Sequence, residues 1–174
     1  AAAVARANLS LYYLDQNDAA EFHELNDAAF AVFVETGRSD SQAACILNRA
    51  FLHLGRGDIA ATHEDLLEAG NQFPIHFEQG TDLEAGCLRA WVAFLRGDLV
   101  LARQGSDYFA KEAPAVRQLL GPMTLQLQQV LAAILDEDWS AAADLLTHKD
   151  PPASVTYRVI WRSMKGFVDE HIGD

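Results

Sequence analysis

The chain has few cysteines and no long apolar run. Its 174 residues include two cysteines, Cys45 and Cys87, without CxxC spacing. Two cysteines are too few to form the disulfide framework of a small secreted domain, so we expect reduced thiols in a cytoplasmic protein. No apolar run approaches the roughly 18 residues of a membrane span, and the 50% apolar composition argues against disorder. The sequence therefore predicts a soluble, ordered protein with no membrane partner.

Positive charge is also scarce. Lys and Arg number 13 against 25 Asp and Glu, which gives a formal net charge of −12. Affinity for nucleic acids rests largely on Lys and Arg side chains that neutralise phosphates. This balance excludes a primary DNA- or RNA-binding role for the segment.

Catalytic signatures are missing too. The sequence has no HExxH, GxSxG, Gly-rich phosphate loop or EF-hand pattern. The nearest metal-like group is His53, His63 and Glu64, which bracket one turn. Two surface histidines on neighbouring helices explain this group better, because metal sites need three or more convergent ligands with supporting hydrogen bonds. We therefore predict a binding protein rather than an enzyme, with no cofactor and no metal.

What the sequence does contain is a repeat of 40 residues. The last Asp of a short polar turn recurs at Asp18, Asp58, Asp98 and Asp138. Apolar residues lie seven and four positions before each Asp, and a mostly small residue lies eight before, so all three share one helical face. Each Asp is well placed to cap the next helix, because its carboxylate accepts hydrogen bonds from first-turn amides. The predicted fold is all-α: tandem antiparallel helix hairpins in about four and a half repeats.

The pattern also predicts where the helices begin and end. Pro74 and Pro114 each follow a turn Asp by 16 residues and are expected at helix exits, as are Pro151 and Pro152. Residues 73–80 form the longest predicted irregular connection. We interpret residues 1–174 as a single helical repeat domain, excised from a longer protein because it lacks an initiating Met. The predicted helices are 1–15, 19–36, 40–55, 59–71, 81–96, 99–112, 118–136, 140–148 and 154–171.

Two units resemble tetratricopeptide-type repeats at their small, turn and terminal positions. Small residues at such positions let neighbouring helices approach closely. One unit matches at Ala50, Asp58, Ala69 and Pro74, and the next at Ala90, Asp98, Ala102 and Pro114.

The period of 40 is longer than the roughly 34 residues of the tetratricopeptide repeat. With the phrases Leu-Gly-Arg-Gly-Asp-Ile-Ala-Ala and Leu-Arg-Gly-Asp-Leu-Val-Leu-Ala, it resembles the helical sensor segments of MalT-type, LuxR-class transcriptional regulators. The resemblance covers about residues 1–150. It implies a superhelix that receives an inducer or a regulatory protein, between an upstream ATPase module and a downstream helix-turn-helix.

Candidate binding residues lie on the first helix of the two best-matched units. Arg49 and Arg89 share one repeat position, and two stacked guanidiniums suit an anion or a carboxylate. Asn48 and His53 lie beside Arg49 in a polar ridge. Trp91 belongs to an apolar stripe that faces the concave groove in tetratricopeptide arrays. The stripe consists of Leu47, Phe51, Leu54, Cys87, Trp91 and Phe94.

Each of these assignments has an alternative. The stripe could be core, because most large apolar side chains pack internally. Arg49 and Arg89 could pair with nearby acids such as Asp40 or Glu84, and most surface ion pairs have no function.

The leading functional hypothesis is a ligand- or protein-binding sensor segment of a LuxR-class regulator. The partner would be a small-molecule inducer, a protein or a peptide in the groove. A general tetratricopeptide scaffold or chaperone that holds an extended peptide is the alternative, and an all-helical enzyme is disfavoured by the missing motifs. We also expect homo-oligomers through the terminal repeats, because each repeat hides its apolar side against the next.

Overall fold

The computed structural model describes residues 1–73, 83–116, 122–147 and 152–172, and within these ranges the chain is helical with no strand. The helices follow one another in packed pairs, so the predicted all-α hairpin architecture is confirmed. They are α1 (Ala2–Asp15), α2 (Ala19–Glu35), α3 (Ser39–Gly55), α4 (Ile59–Gln72), α5 (Leu83–Leu95), α6 (Leu99–Val116), α7 (Pro122–Leu135), α8 (Trp139–Thr147) and α9 (Val155–Ile172).

All helix ends lie within four residues of their predicted positions, and the two largest differences are at the end of α6 and the start of α7. Helix α6 runs to Val116, so the prediction that Pro114 follows the helix is wrong. Pro114 lies in the last turn of α6, where a missing N–H removes one hydrogen bond rather than breaking a long helix. Pro122 occupies the first position of α7, where that N–H has no helical partner anyway. Pro74, Pro151 and most of the connection 73–80 lie outside the described residues.

The four repeat turns share one backbone geometry. In each, the N–H of the turn Asp donates to the carbonyl five residues earlier at 2.9 Å, which is the closing bond of a Schellman motif. The residue before the Asp has a positive φ: 57° at Asn17, 77° at Gly57, 76° at Gly97 and 59° at Glu137. The repeat seen in the sequence is therefore a repeat of turn conformation.

The predicted capping role of the turn Asp is also confirmed. The carboxylates of Asp58, Asp98 and Asp138 each accept a hydrogen bond from the N–H three residues later, at 3.0, 3.0 and 3.1 Å. Asp18 does the same at 3.3 Å. One Asp per turn thus satisfies an amide that the following helix leaves unpaired.

The chain divides into two compact units, residues 1–82 and 83–174. In unit 1, the hairpins α1–α2 and α3–α4 pack together, and α3 contacts both α1 and α2. One buried cluster joins Leu14, Phe22 and Leu52. A second cluster joins Ala3, Ala29, Phe33 and Cys45.

In unit 2, the hairpins α5–α6 and α7–α8 are joined by α9, which contacts α8, α7 and α5. Trp91 of α5 meets Tyr157 of α9 edge to face at 6.0 Å between ring centroids. Phe94 of α5 meets Phe167 of α9 in the same way at 5.3 Å. Helix α9 therefore covers a face of α5 with aromatic contacts.

Small residues lie where helices approach most closely. Ala50, Ala69, Ala90 and Ala102 are all buried. A β-carbon added at Gly105 of α6 would lie 2.8 Å from the Cβ of Ala90 on α5. The small positions shared with tetratricopeptide repeats are thus sites where a larger side chain would force the helices apart. None of the described helices combines the length and the hydropathy needed to cross a membrane.

Candidate functional site

The predicted polar ridge of unit 1 forms an ion-pair cluster between α3 and α4. Nε of Arg49 donates to Oδ1 of Asp65 at 2.8 Å, and Nη2 donates to Oε2 of Glu68 at 2.5 Å. The hydrogen bond with Asp65 raises the pKa of Arg49 further above its ordinary value. Asp65 is buried, so the hydrogen bond from Arg49 replaces water that this carboxylate has lost. The guanidinium thus has two carboxylate partners within its own hairpin.

The other ridge residues surround this cluster. Nε2 of His53 lies 3.7 Å from Oδ2 of Asp65, an oxygen that is buried and accepts no hydrogen bond from the described residues. Asn48 is half-buried beside Arg49. Arg38, rather than Arg49, pairs with Asp40, at 3.7 Å. Arg49 therefore pairs with nearby acids, as the second interpretation predicts. Its partners are Asp65 and Glu68 rather than Asp40 or Glu84.

Unit 2 contains the other two predicted residues in different environments. Arg89 is exposed on α5 and forms no ion pair within the described ranges. The side chain of Glu84, its expected partner, lies outside the described residues. Arg49 and Arg89 belong to different units, and a clamp made by both remains a prediction.

Trp91 does not line an open groove. The side chain is 1% exposed, and its ring packs against Tyr157. Helix α9 covers this part of α5, a long-range contact that the repeat spacing does not encode. The placement of Trp91 on a binding surface therefore needs correction: its ring is core.

The rest of the apolar stripe is core as well. Leu47 and Leu54 are buried within unit 1, and Cys87 and Phe94 are buried within unit 2. Phe51 is half-buried and packs beside the cluster of Leu14, Phe22 and Leu52. Of the two interpretations of the stripe, the structure supports the core.

A cavity of about 250 Å³ opens in unit 2 where the ends of four helices meet. Its apolar part comes from Leu99 at the start of α6 and from Ile134 and Leu135 at the end of α7. Its aromatic side is formed by Trp139, Phe167 and His171. Two charged residues, Arg103 and Glu137, complete the lining. Such a mixture of apolar walls and a few polar groups is typical of small-molecule sites.

The three aromatic rings contact one another. His171 stacks on Trp139 with centroids 4.4 Å apart and an interplanar angle of 20°. Phe167 lies 4.4 Å from His171 and 6.0 Å from Trp139. Nδ1 of His171 lies 2.7 Å from the carbonyl oxygen of Phe167. Because a carbonyl only accepts, Nδ1 is the donor and the ring orientation is fixed.

Some of the charged side chains around the cavity have partners among the described residues of unit 2, and one does not. Arg103 pairs with Asp136 and donates to the carbonyl of Leu135. Asp138 caps α8. Glu137 is exposed and forms no ion pair with the residues that the structure describes. The carboxylate of Glu137 is thus the uncommitted charge among the described residues that line the cavity.

Sequence reasoning missed this cavity, although one signal for it exists. The fourth turn reads Asp136-Glu137-Asp138 where the two preceding turns read Arg-Gly-Asp. It is followed by Trp139, where the earlier repeats have Ala19, Ile59 and Leu99. Phe167 and His171 have no such signal, since they reach the cavity only because of how α9 packs.

Metal ligands and cysteine thiols are the other chemical groups to consider within the described ranges. No group of three or more His, Cys, Asp or Glu there is arranged to hold a metal ion. Cys45 is a free, buried thiol, and Cys87 is also buried. Burial, followed by the charge of Asp27, raises the pKa of Cys45 to about 11. A thiol with that pKa stays neutral and unreactive near pH 7.

No family model, curated protein or solved structure matches this chain.

Proposed function

We propose that the chain is a binding segment rather than a catalyst, and that the outer face of α1 docks a helical partner. Val4, Leu11 and Tyr12 are exposed and lie seven and eight residues apart, so they share one face of the helix. Large apolar side chains grouped on one exposed face are typical of protein–protein contact sites. The exposed residues of α1 supply such a face.

The repeat itself indicates what kind of partner this face fits. Tyr12 is 58% exposed, whereas its repeat equivalents Leu52 and Val92 are 2% and 1% exposed. Leu52 is buried against Phe22 of the preceding hairpin. The face of α1 thus has the residue pattern that, one repeat later, packs against a helix hairpin. This difference in exposure carries the proposal, and a second copy of the chain can supply the hairpin.

We further propose that this binding segment is the sensor of a LuxR-class transcriptional regulator in the cytoplasm. The 40-residue period, with four turns of one geometry, supports this assignment, and the free, buried thiol of Cys45 suits a reducing compartment. The partner would be a small-molecule inducer, a protein or a peptide. An ATPase module upstream and a helix-turn-helix downstream in the full gene are expected, and flanks that lack both would contradict the assignment.

The alternative of a scaffold or chaperone holding an extended peptide requires an open apolar groove. In unit 2 the corresponding stripe is buried beneath α9. No observation in the described residues favours that alternative over docking through α1.

The docking proposal is tested by sedimentation of the intact chain from micromolar to several hundred micromolar concentration. Tyr12→Glu places a charge on the exposed face of α1, at its most exposed large apolar residue. Tyr108→Glu is the matched control, because Tyr108 is 43% exposed on α6, a helix of the other unit. We expect the wild type and Tyr108→Glu to self-associate and Tyr12→Glu to remain monomeric. A wild type that is monomeric throughout would contradict the proposal.

A further inference from the structure

We infer that the cavity of unit 2 binds a small organic cation that carries a flat ring. This inference goes beyond the docking role proposed for α1 and concerns a separate site in unit 2. Its occupant is identified by three features of the cavity: its size, its aromatic wall and the sign of its uncommitted charge.

The size and the apolar part of the cavity admit a single ring. A volume of about 250 Å³ is small for a drug-sized ligand but sufficient for one substituted ring. Leu99 and Ile134 supply apolar contacts for the ring.

The aromatic wall favours a flat, positively charged group. Trp139, Phe167 and His171 form a cluster of rings at the cavity, and the faces of Trp and Phe rings carry partial negative charge. A cation that lies against a Trp face is attracted by this charge, most strongly when it is partly removed from water. A flat cation also stacks on the indole as the imidazole of His171 does.

The carboxylate of Glu137 supplies the complementary charge. Arg103 is neutralised by Asp136, so the guanidinium does not reverse the sign of the cavity. Asp138 is already engaged as a helix cap. The net charge of −12 on the chain adds a background that attracts cations and repels anions. A carboxylate beside aromatic rings thus selects a cation over an anion of the same shape.

The backbone at Glu137 supports a role for its side chain. The residue has φ 59°, at the turn position where two other repeats have Gly57 and Gly97. Left-handed conformations disfavour residues with a β-carbon, so glycine would be the more stable choice on backbone grounds alone. A glutamate retained at such a position is a reason to examine what its carboxylate does.

The inference is tested with three probes of nearly equal shape and different charge: benzamidinium, benzamide and benzoate. Affinities are measured by titration of the intact chain, with the indole N–H resonance of Trp139 as the reporter. The Trp139→Phe variant assigns that resonance, because only the Trp139 signal disappears. The other two indoles, Trp91 and Trp161, are buried and do not line the cavity. We expect benzamidinium to bind about tenfold more tightly than benzamide, and benzoate to bind most weakly.

Two carboxylate variants locate the charge that matters. Glu137→Gln keeps the shape of the side chain and should reduce benzamidinium affinity about tenfold while leaving benzamide affinity unchanged. Glu170→Gln is the control, because Glu170 is an exposed carboxylate on α9 that does not line the cavity. Both positions are exposed, so neither change should disturb the fold.

Equal binding of the three probes, a preference for benzoate, or an unchanged affinity in Glu137→Gln would overturn the inference, as would the absence of binding at millimolar probe. The docking role of α1 is measured separately by the effect of Tyr12→Glu on self-association. If that effect is present and the probes fail, only the cation site is lost. If the probes bind and self-association is absent, the docking proposal is lost and the cavity stands.

Discussion

Substituting Gly105 with alanine tests the close packing of α5 and α6. The added β-carbon would lie 2.8 Å from Cβ and 3.4 Å from Cα of Ala90. Carbon atoms in good contact lie about 3.5–4.0 Å apart, so the two helices must separate by several tenths of an ångström. Overpacking of this kind costs about 1–3 kcal/mol. Alanine favours the helix over glycine by about 1 kcal/mol, which leaves a net loss of about 1 kcal/mol.

Gly166→Ala provides the matched control for this substitution. Gly166 lies within α9 of the same unit, and a β-carbon there meets no atom within 4 Å. The substitution should therefore gain the helix-propensity term of about 1 kcal/mol without an opposing clash. Subtracting the two changes cancels that common term and isolates the packing cost, expected at about 1–3 kcal/mol.

The assay is urea unfolding of the wild type and both variants, followed by far-ultraviolet circular dichroism. We expect the highest urea midpoint concentration for Gly166→Ala, an intermediate one for the wild type and the lowest for Gly105→Ala. If Gly105→Ala is as stable as Gly166→Ala, the close approach of α5 and α6 is not present in solution, and the reasoning from small residues fails.

Three further substitutions test other parts of the structure. Asp65→Ala removes a buried partner of Arg49 and should destabilise the chain by about 1–2 kcal/mol in urea unfolding at pH 7, because Arg49 is partly exposed and keeps Glu68 as a partner. In the folded chain the pKa of Cys45 is about 11, compared with an ordinary value of 9.0. The contribution of this shift to the free energy of unfolding is therefore complete below pH 9 and is lost as the pH rises towards 11. Cys45→Ala should therefore make the stability fall less steeply across that window. Glu137→Gly relieves a left-handed residue with φ 59° and should raise stability by about 0.5–1 kcal/mol.

Each of these has a control or a contradicting result. Asp40 is an exposed carboxylate 3.7 Å from Arg38, so Asp40→Ala should change the free energy of unfolding by less than about 0.5 kcal/mol. If Asp40→Ala has the same effect as Asp65→Ala, the buried ion-pair cluster does not stabilise the chain more than an exposed pair does. Identical pH profiles for wild type and Cys45→Ala would contradict the raised pKa. Gly97→Ala at the matching turn position should destabilise, and a gain there would remove the argument about Glu137.

The sequence predicts the hairpin architecture well because its strongest signals are local. A turn Asp caps the helix that follows it, so its recurrence every 40 residues reports turns directly. Small residues such as Ala90 recur because helices within one hairpin approach closely. Proline usually ends helices, so the sequence predicts a helix exit at Pro114, yet the last turn of α6 accommodates this residue.

The candidate site is less predictable because it depends on contacts between distant segments. Repeat phase places Trp91 on a helical face but does not reveal that Tyr157 of α9 covers it. The ion partners of Arg49 are also set by how α3 and α4 align, which the spacing of acids does not fix. The same limit applies to the cavity, where His171 of α9 stacks on Trp139 of α8 although the two residues are far apart in sequence.

Photo-crosslinking from position 12 tests the central claim, that α1 offers a docking face for a helical partner. Tyr12 is replaced by p-benzoylphenylalanine in the purified chain, with the same replacement at Tyr108 as the control. Crosslinked peptides are identified by mass spectrometry. The account predicts an intermolecular adduct from position 12 to a helical segment of a second copy, at a yield well above that from position 108. Equal yields from both positions, or no adduct from position 12, would contradict it.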